Sequence, residues 1–144
     1  MIINSAKDTR SHEEILKTHD NVKFDCHKVF DPFEIINTDE FDKADIIAID
    51  EGQFFPRLKK FVECCLHVNK SVILAGLDAD SFQEKFGELI DCIPLACDVT
   101  KLSELCMRCN DGTLGPFTKR IVDDKTLELI GGSDMYIATC RNHL

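Results

Sequence analysis

The sequence predicts an α/β fold with a parallel sheet, followed by a small metal-binding unit. Three observations lead there. Short, continuous apolar runs rich in β-branched residues recur at 44–49, 71–76 and 93–99, as expected of strands buried on both faces. Between the first two runs, residues 57–68 place Leu58, Phe61, Val62, Cys65, Leu66 and Val68 at helical spacing with one apolar face. Near Leu102 the composition changes. Residues 1–101 read as an α/β core, and residues 102–144 as a short, turn-rich, cysteine-bearing unit.

The elements follow in order. Residues 1–4 read as the end of a strand, 6–20 as a polar loop and 22–29 as a short strand. Asp31-Pro32 opens a helix whose apolar contacts are Phe33, Ile35, Ile36 and Phe41. The central stretch, 44–55, reads ADIIAIDEGQFF. Its apolar run stops abruptly at Asp50 and Glu51. Open α/β sheets place their sites at the carboxyl ends of parallel strands. Successive strand residues point in opposite directions, so one acid can hold a metal ion while the other accepts a proton. Gly52 lets the backbone turn, and Phe54 and Phe55 add apolar surface. An ordinary acidic turn after a strand has the same pattern. Beyond the strand at 71–76, residues 78–86 form a loop carrying Phe82 and Phe86, and 87–91 a short helix.

A length of 144 residues suits one domain with a small appendage. The net charge of −9 argues against nucleic acid as a partner, since phosphate neutralisation needs clustered Lys and Arg. No apolar run approaches the roughly 18 residues of a membrane span, and residues 1–4 lack a signal-type n-region. A cytoplasmic protein with reduced thiols is expected, so its eight cysteines read as core residues and metal ligands.

The ligands are paired. Cys106 and Cys109 form a CxxC, and Cys140 and His143 a CxxH, with thirty residues between the pairs. Three thiolates and an imidazole close a tetrahedron around zinc. A closed four-ligand site is structural, and it would pin the ends of the 109–140 segment as a lid. Cys26, Cys64, Cys65, Cys92 and Cys97 lie in apolar segments without such pairing and read as small buried hydrophobes.

Four motifs carry a family resemblance: AKDTR at 6–10, DEGQFF at 50–55, CMRC at 106–109 and IGGSDMY at 130–136. With TKR at 118–120 and Phe86-Gly87, they resemble the zinc-containing, cellular and poxviral type of thymidine kinase over nearly the whole chain. The resemblance implies a parallel sheet of P-loop nucleotide-kinase type with a zinc-anchored lasso loop. It also implies transfer of the ATP γ-phosphate to the 5′-hydroxyl of thymidine with magnesium, by a homotetramer. By matching position, Glu51 resembles the general base and Asp50 the magnesium-side carboxylate. Asp8 and Arg10 match the loop beside the phosphates and sugar. Gln53, Phe54, Phe86, Thr118, Leu127, Leu129, Ile130, Gly131 and Tyr136 fall on the nucleoside side. Cys106, Cys109, Cys140 and His143 match the zinc ligands.

The sequence departs from the family pattern in four places. Ser81 stands where relatives often carry an aromatic residue. The lid is about two residues longer before Thr118, and the last zinc ligand is His143 rather than cysteine. Most consequentially, none of the seven glycines belongs to a GxxxxGK[ST] phosphate loop. Met1 aligns within the family's second strand, as though the chain began one βα unit late. A catalytically silent or split relative, binding nucleoside or joining other subunits, is therefore the alternative expectation. A zinc-ribbon nucleic-acid binder is a weaker one.

Overall fold

A computed structural model describes residues 1–8, 14–18, 20–122 and 135–144. These residues divide into two compact units, one of 1–78 with 86–96 and one of 79–85 with 97–144. The composition boundary at 101/102 lies inside the second unit.

The first unit carries β1 (Ile2–Ser5), β2 (Ile15–Lys17), β3 (Lys23–Asp25), β4 (His27–Val29), α1 (Asp39–Lys43), β5 (Ile46–Ile49), α2 (Leu58–His67) and β6 (Ser71–Leu74). Four of the strands form one parallel sheet in the order β4-β1-β5-β6. β2 and β3 pair antiparallel as a separate hairpin. The parallel reading of the sequence is therefore correct. The sheet packs one face on α2, where Ile3, Ile47 and Ile49 share a core with Leu58, Phe61, Val62 and Cys65. Phe61 is fully buried at its centre, with Phe33 edge-on at 5.5 Å and Phe41 at 6.3 Å.

The other face is not covered by any helix among the described residues. Ile46 and Ile73 are 50% and 60% exposed. Both belong to one face, because Ala48 pairs with Ile73 and Ile46 lies two residues before Ala48. The expectation of strands buried on both faces is thus wrong for β5 and β6. β6 is also an edge strand, and no described residue pairs with its outer side.

Local chemistry explains the other departures. The helix expected from Asp31 breaks in two. A 3₁₀ turn, Pro32–Ile35, starts in a capping box in which Asp31 accepts from the Phe33 N–H and Glu34 reaches back to the Asp31 N–H. Thr38 then caps α1, accepting from the Phe41 N–H at 3.2 Å. The strand expected at 22–29 splits at Cys26, whose N–H donates to the Glu14 carbonyl instead. The strand expected at 93–99 does not form. Ile90–Leu95 is a 3₁₀ helix that buries Cys92 and leaves Ile93 half exposed, as is Val99 beyond it. Pro94 supplies no N–H to a ladder, which disfavours a central strand there. Cys97 is exposed and Cys64 half-buried, so only Cys26, Cys65 and Cys92 are the buried hydrophobes expected.

The second unit holds β7 (Glu104–Leu105), β8 (Leu114–Gly115), β9 (Phe117–Arg120) and β10 (Tyr136–Thr139). They pair antiparallel as β7-β8 and β9-β10. No described helix is long and apolar enough to cross a membrane.

Phe61→Ala is expected to cost about 3–5 kcal/mol, the range for truncating a fully buried aromatic. Urea denaturation should show a lower midpoint at an unchanged slope.

Candidate functional site

The carboxylate turn grows directly out of β5. The Asp50 N–H still donates to the Ile3 carbonyl, as the ladder requires. Glu51 then leaves the strand at φ 53°, ψ 40°, a left-handed conformation that is uncommon outside glycine. Gly52 closes the reversal by donating its N–H to the Ala75 carbonyl at 2.9 Å. A Cβ there would lie 2.8 Å from a Leu74 methyl and 3.3 Å from the Ala75 carbonyl, so Leu74 would have to shift to admit one. Strain in a non-glycine residue persists only where its surroundings over-determine it, and such residues cluster at functional sites.

Gln53 is that surrounding. It is 3% exposed, and both ends of its amide are engaged. Nε2 donates to Glu51 Oε2 at 2.7 Å, and Oε1 accepts the Leu77 N–H at 3.0 Å. Its backbone carbonyl lies so close to Gly87 that a Cβ there would stand 2.2 Å away, and Gly87 has φ +61°. This close approach seats Phe86 edge-on against Phe54, with ring centroids 5.4 Å apart.

Asp8 follows β1 and Asp50 follows β5. Because these strands pair in parallel, both acids leave the same end of the sheet. Asp8 is buried, and its Oδ2 accepts from Asn4 Nδ2 at 3.1 Å. Lys28 Nζ donates to its backbone carbonyl at 2.9 Å. Burial pushes the Cys26 thiol up; Lys28 opposes that, and Glu14, Asp50 and Asp8 add to it. Sequence reasoning treated Cys26 as a core residue and missed that it lies within the field of both acids. Burial likewise pushes the Cys65 and Cys92 thiols up to about 11, which leaves them inert at neutral pH.

In the second unit, Cys106, Cys109, Cys140 and His143 bring their ligand atoms within 4.8 Å of one another. Cys109 Sγ lies 3.7 Å from Cys140 Sγ and 3.3 Å from His143 Nδ1. His143 Nδ1 is 3.4 Å from Cys140 Sγ and 3.6 Å from Cys106 Sγ. A tetrahedron with Zn–S of about 2.3 Å and Zn–N of about 2.0–2.1 Å has edges of roughly 3.6–3.8 Å. The four residues therefore fit zinc. Burial acts to raise the Cys106 thiol, but the N–H groups of Cys140, Arg108 and Cys109 together with His143 bring it down to about 6. Burial and the neighbouring thiols of Cys106 and Cys140 push Cys109 up to about 11. The Cys106 thiolate is thus favoured by the backbone, whereas the Cys109 thiolate is disfavoured by its neighbours. Gly115 packs against this turn, where a Cβ would meet Cys106 Cα at 2.9 Å.

Thr118 and Tyr136 lie on the paired strands above the cluster, opposite Ala138 and Arg120 respectively. Arg120 donates to the Tyr136 hydroxyl at 3.0 Å, and its guanidinium lies 5.4 Å from the Tyr136 ring and 5.8 Å from that of Phe82. The sequence reading did not give Arg120 a site role. Its signal was its place in TKR, two residues after Thr118 and so on the same strand face. Lys119 Nζ ties β9 to the His143 carbonyl at 2.9 Å. Arg10, Leu127, Leu129, Ile130 and Gly131 lie outside the described residues.

Fold and site together define an α/β protein whose parallel sheet ends in paired carboxylates and whose second unit holds a cluster fit for zinc. The family model described as thymidine kinase matches residues 1–144, and the chain belongs to that family. It is 41% identical to thymidine kinase a of Arabidopsis thaliana over 148 aligned positions, covering 99% of this chain and 60% of the relative. It is 36% identical to the thymidine kinase of rabbit fibroma virus, covering 98% of this chain and 76% of the relative. Cytosolic thymidine kinase of Bos taurus is 36% identical, covering 98% and 57%. The chain thus spans well under two thirds of the length of the plant and animal relatives.

Protein purified without added zinc is expected to carry about one zinc ion per chain by mass spectrometry of the metal. Cys106→Ser should lose it. Acidification should release the metal from the wild type, because protons compete for the three thiolates and the His143 ring. Metal-free wild-type protein would overturn the assignment.

Proposed function

We propose that these residues form the acceptor side of a thymidine kinase, in which Glu51 is the general base. The carrying observation is the turn after β5, where a strained, buried-amide-anchored carboxylate stands at the sheet end at which α/β proteins bind ligands. In this reading Glu51 takes the proton of the thymidine 5′-hydroxyl. The hydroxyl oxygen bonds to the γ-phosphorus of ATP, and the bond to the bridging oxygen breaks to release ADP. Asp50 is a hard oxygen ligand suited to magnesium, held through water. Bound there, the ion would neutralise charge on the phosphates.

The remaining roles follow the family resemblance. Asp8 and Arg10 serve the sugar and phosphate side, and Phe54 and Phe86 flank the thymine. By the same resemblance Thr118 and Tyr136 serve the nucleoside side, as do Leu127, Leu129, Ile130 and Gly131, which lie outside the described residues. Zinc is structural, since all four of its positions are filled by protein. No GxxxxGK[ST] occurs in the 144 residues, so none of them is assigned as the donor cradle. Homo-oligomeric assembly and a cytoplasmic location complete the reading.

A second reading is supported by the open side of β6 and the exposed Ile46 and Ile73. On it, the chain is a silent or split relative that binds nucleoside, or that joins other subunits through this surface.

In a chain extended by a relative's N-terminal strand, phosphate loop and helix, Glu51→Gln should lower turnover by roughly 10²–10⁴. Thymidine affinity should fall by no more than about tenfold, because Gln53 holds the amide oxygen of the variant and its NH₂ end meets the hydroxyl in place of the carboxylate. Near-normal turnover would remove Glu51 as the base.

The 144 residues alone should bind thymidine yet bind ATP poorly and transfer phosphate slowly. Phosphoryl transfer depends on a preorganised cradle for the triphosphate. Robust magnesium-dependent activity from the short chain would show that the donor is held by these residues after all.

A further inference from the structure

We propose that Gln53 is a positioning residue that holds the Glu51 carboxylate in its working direction, rather than a residue that touches the nucleoside. The proposal rests on the reading of Glu51 as the group that meets the acceptor hydroxyl. Three observations carry it.

The first is the orientation of the amide. Oε1 meets the Leu77 N–H, which only an acceptor can do, so the NH₂ end necessarily faces Glu51. The reversed amide would set a donor against a donor and a carbonyl against a carboxylate. The backbone therefore fixes which end of Gln53 the acid meets. With Oε2 fastened at 2.7 Å, the plane of the carboxylate is set, and with it the direction of its remaining lone pairs.

The second is the space cut for the side chain. A Cβ on Gly76 would stand 2.4 Å from Gln53 Oε1, and one on Gly87 would stand 2.2 Å from the Gln53 carbonyl. Two glycines at positions far apart in sequence thus make room for one residue. At 3% exposure, Gln53 presents almost no surface to a ligand.

The third is the backbone of the acid itself. Glu51 sits in the left-handed region, where an unrestrained chain would relax. The Gln53 side chain ties the acid to the residue two places on and, through Leu77, to the strand-end segment after β6. A long, three-torsion side chain on a strained residue needs such a tether to point one way, and effective general-base geometry requires hydrogen-bond reach to the hydroxyl.

The test is calorimetric binding of thymidine and of 5′-deoxythymidine, which lacks the hydroxyl that Glu51 meets. The proteins are the wild type, Glu51→Ala, Gln53→Met and the double variant of Glu51→Ala with Gln53→Met, with Gln53→Leu as a second variant that removes the donor. Methionine keeps the length of glutamine and removes the donor. The wild type should prefer thymidine by on the order of tenfold, as for a hydrogen bond to a charged group. Gln53→Met and Gln53→Leu should each shrink that preference toward the Glu51→Ala value while 5′-deoxythymidine affinity holds. Adding Gln53→Met to Glu51→Ala should change nothing further. If Gln53→Met or Gln53→Leu weakens both ligands equally, or if either keeps the full preference, Gln53 has no positioning role and the proposal falls alone. If the wild type shows no preference, or binds neither nucleoside, the Glu51 reading fails and this proposal with it. Should Gln53→Met not fold, Gln53→Leu decides by the same ratio.

Discussion

The reversal of the chain at the end of β5 is the constraint on which the first unit depends. Within a few residues the backbone must leave a fully paired parallel strand, expose two acids and enter α2. It does so through two non-glycine residues in the left-handed region, Glu51 and Arg57. Each such residue costs of order 1–3 kcal/mol. Burial of Leu58, Phe61, Val62 and Cys65 against Ile3, Ile47 and Ile49 offsets that cost. The helix that stabilises the sheet is thus also what forces the turn, and the turn aims the acid. Core packing and site geometry here are one interaction seen from two sides.

The second unit solves a different problem. Its strands are two to four residues long, and Leu102, Leu105, Met107 and Leu114 are all well exposed. Among the described residues of this unit, so little buried apolar surface would rarely hold a fold by itself. The ligand cluster supplies the organising contacts instead. The Cys106 N–H bonds to Thr113, the Met107 N–H bonds to Ala138, and the Cys140 N–H donates to Cys106 Sγ, so the two ligand turns are already joined through the backbone. Metal binding in such a unit is folding energy, not decoration.

Much of this was legible in the sequence, and the reasons are specific. The β5 acids and the CxxC and CxxH pairs are local in sequence, so their chemistry survives reading one residue after another. The parallel order followed from apolar runs alternating with a helical one. What could not be read was set by partners distant in the chain. Nothing local in Gln53 announces that Leu77 holds one end of its amide, or that Gly76 and Gly87 leave it room. Ile93 and Val99 read as a buried strand because their apolarity is visible, whereas Pro94 withholds the N–H that a ladder there would need. Ile46 looked buried for the same reason: apolar pattern reports what a face can bury, not what is there to cover it.

That uncovered face, with the open side of β6, bears on how the molecule behaves in bulk. Ser71–Leu74 carries no charge, proline or bulge of the kind that blunts an exposed edge against another chain. What opposes edge-to-edge growth is the net charge of −9, which makes copies repel one another. Repulsion of that kind is screened within roughly 8–10 Å at physiological ionic strength. Association of this chain through that edge is therefore expected to become easier as salt is added, because screening weakens the repulsion between copies.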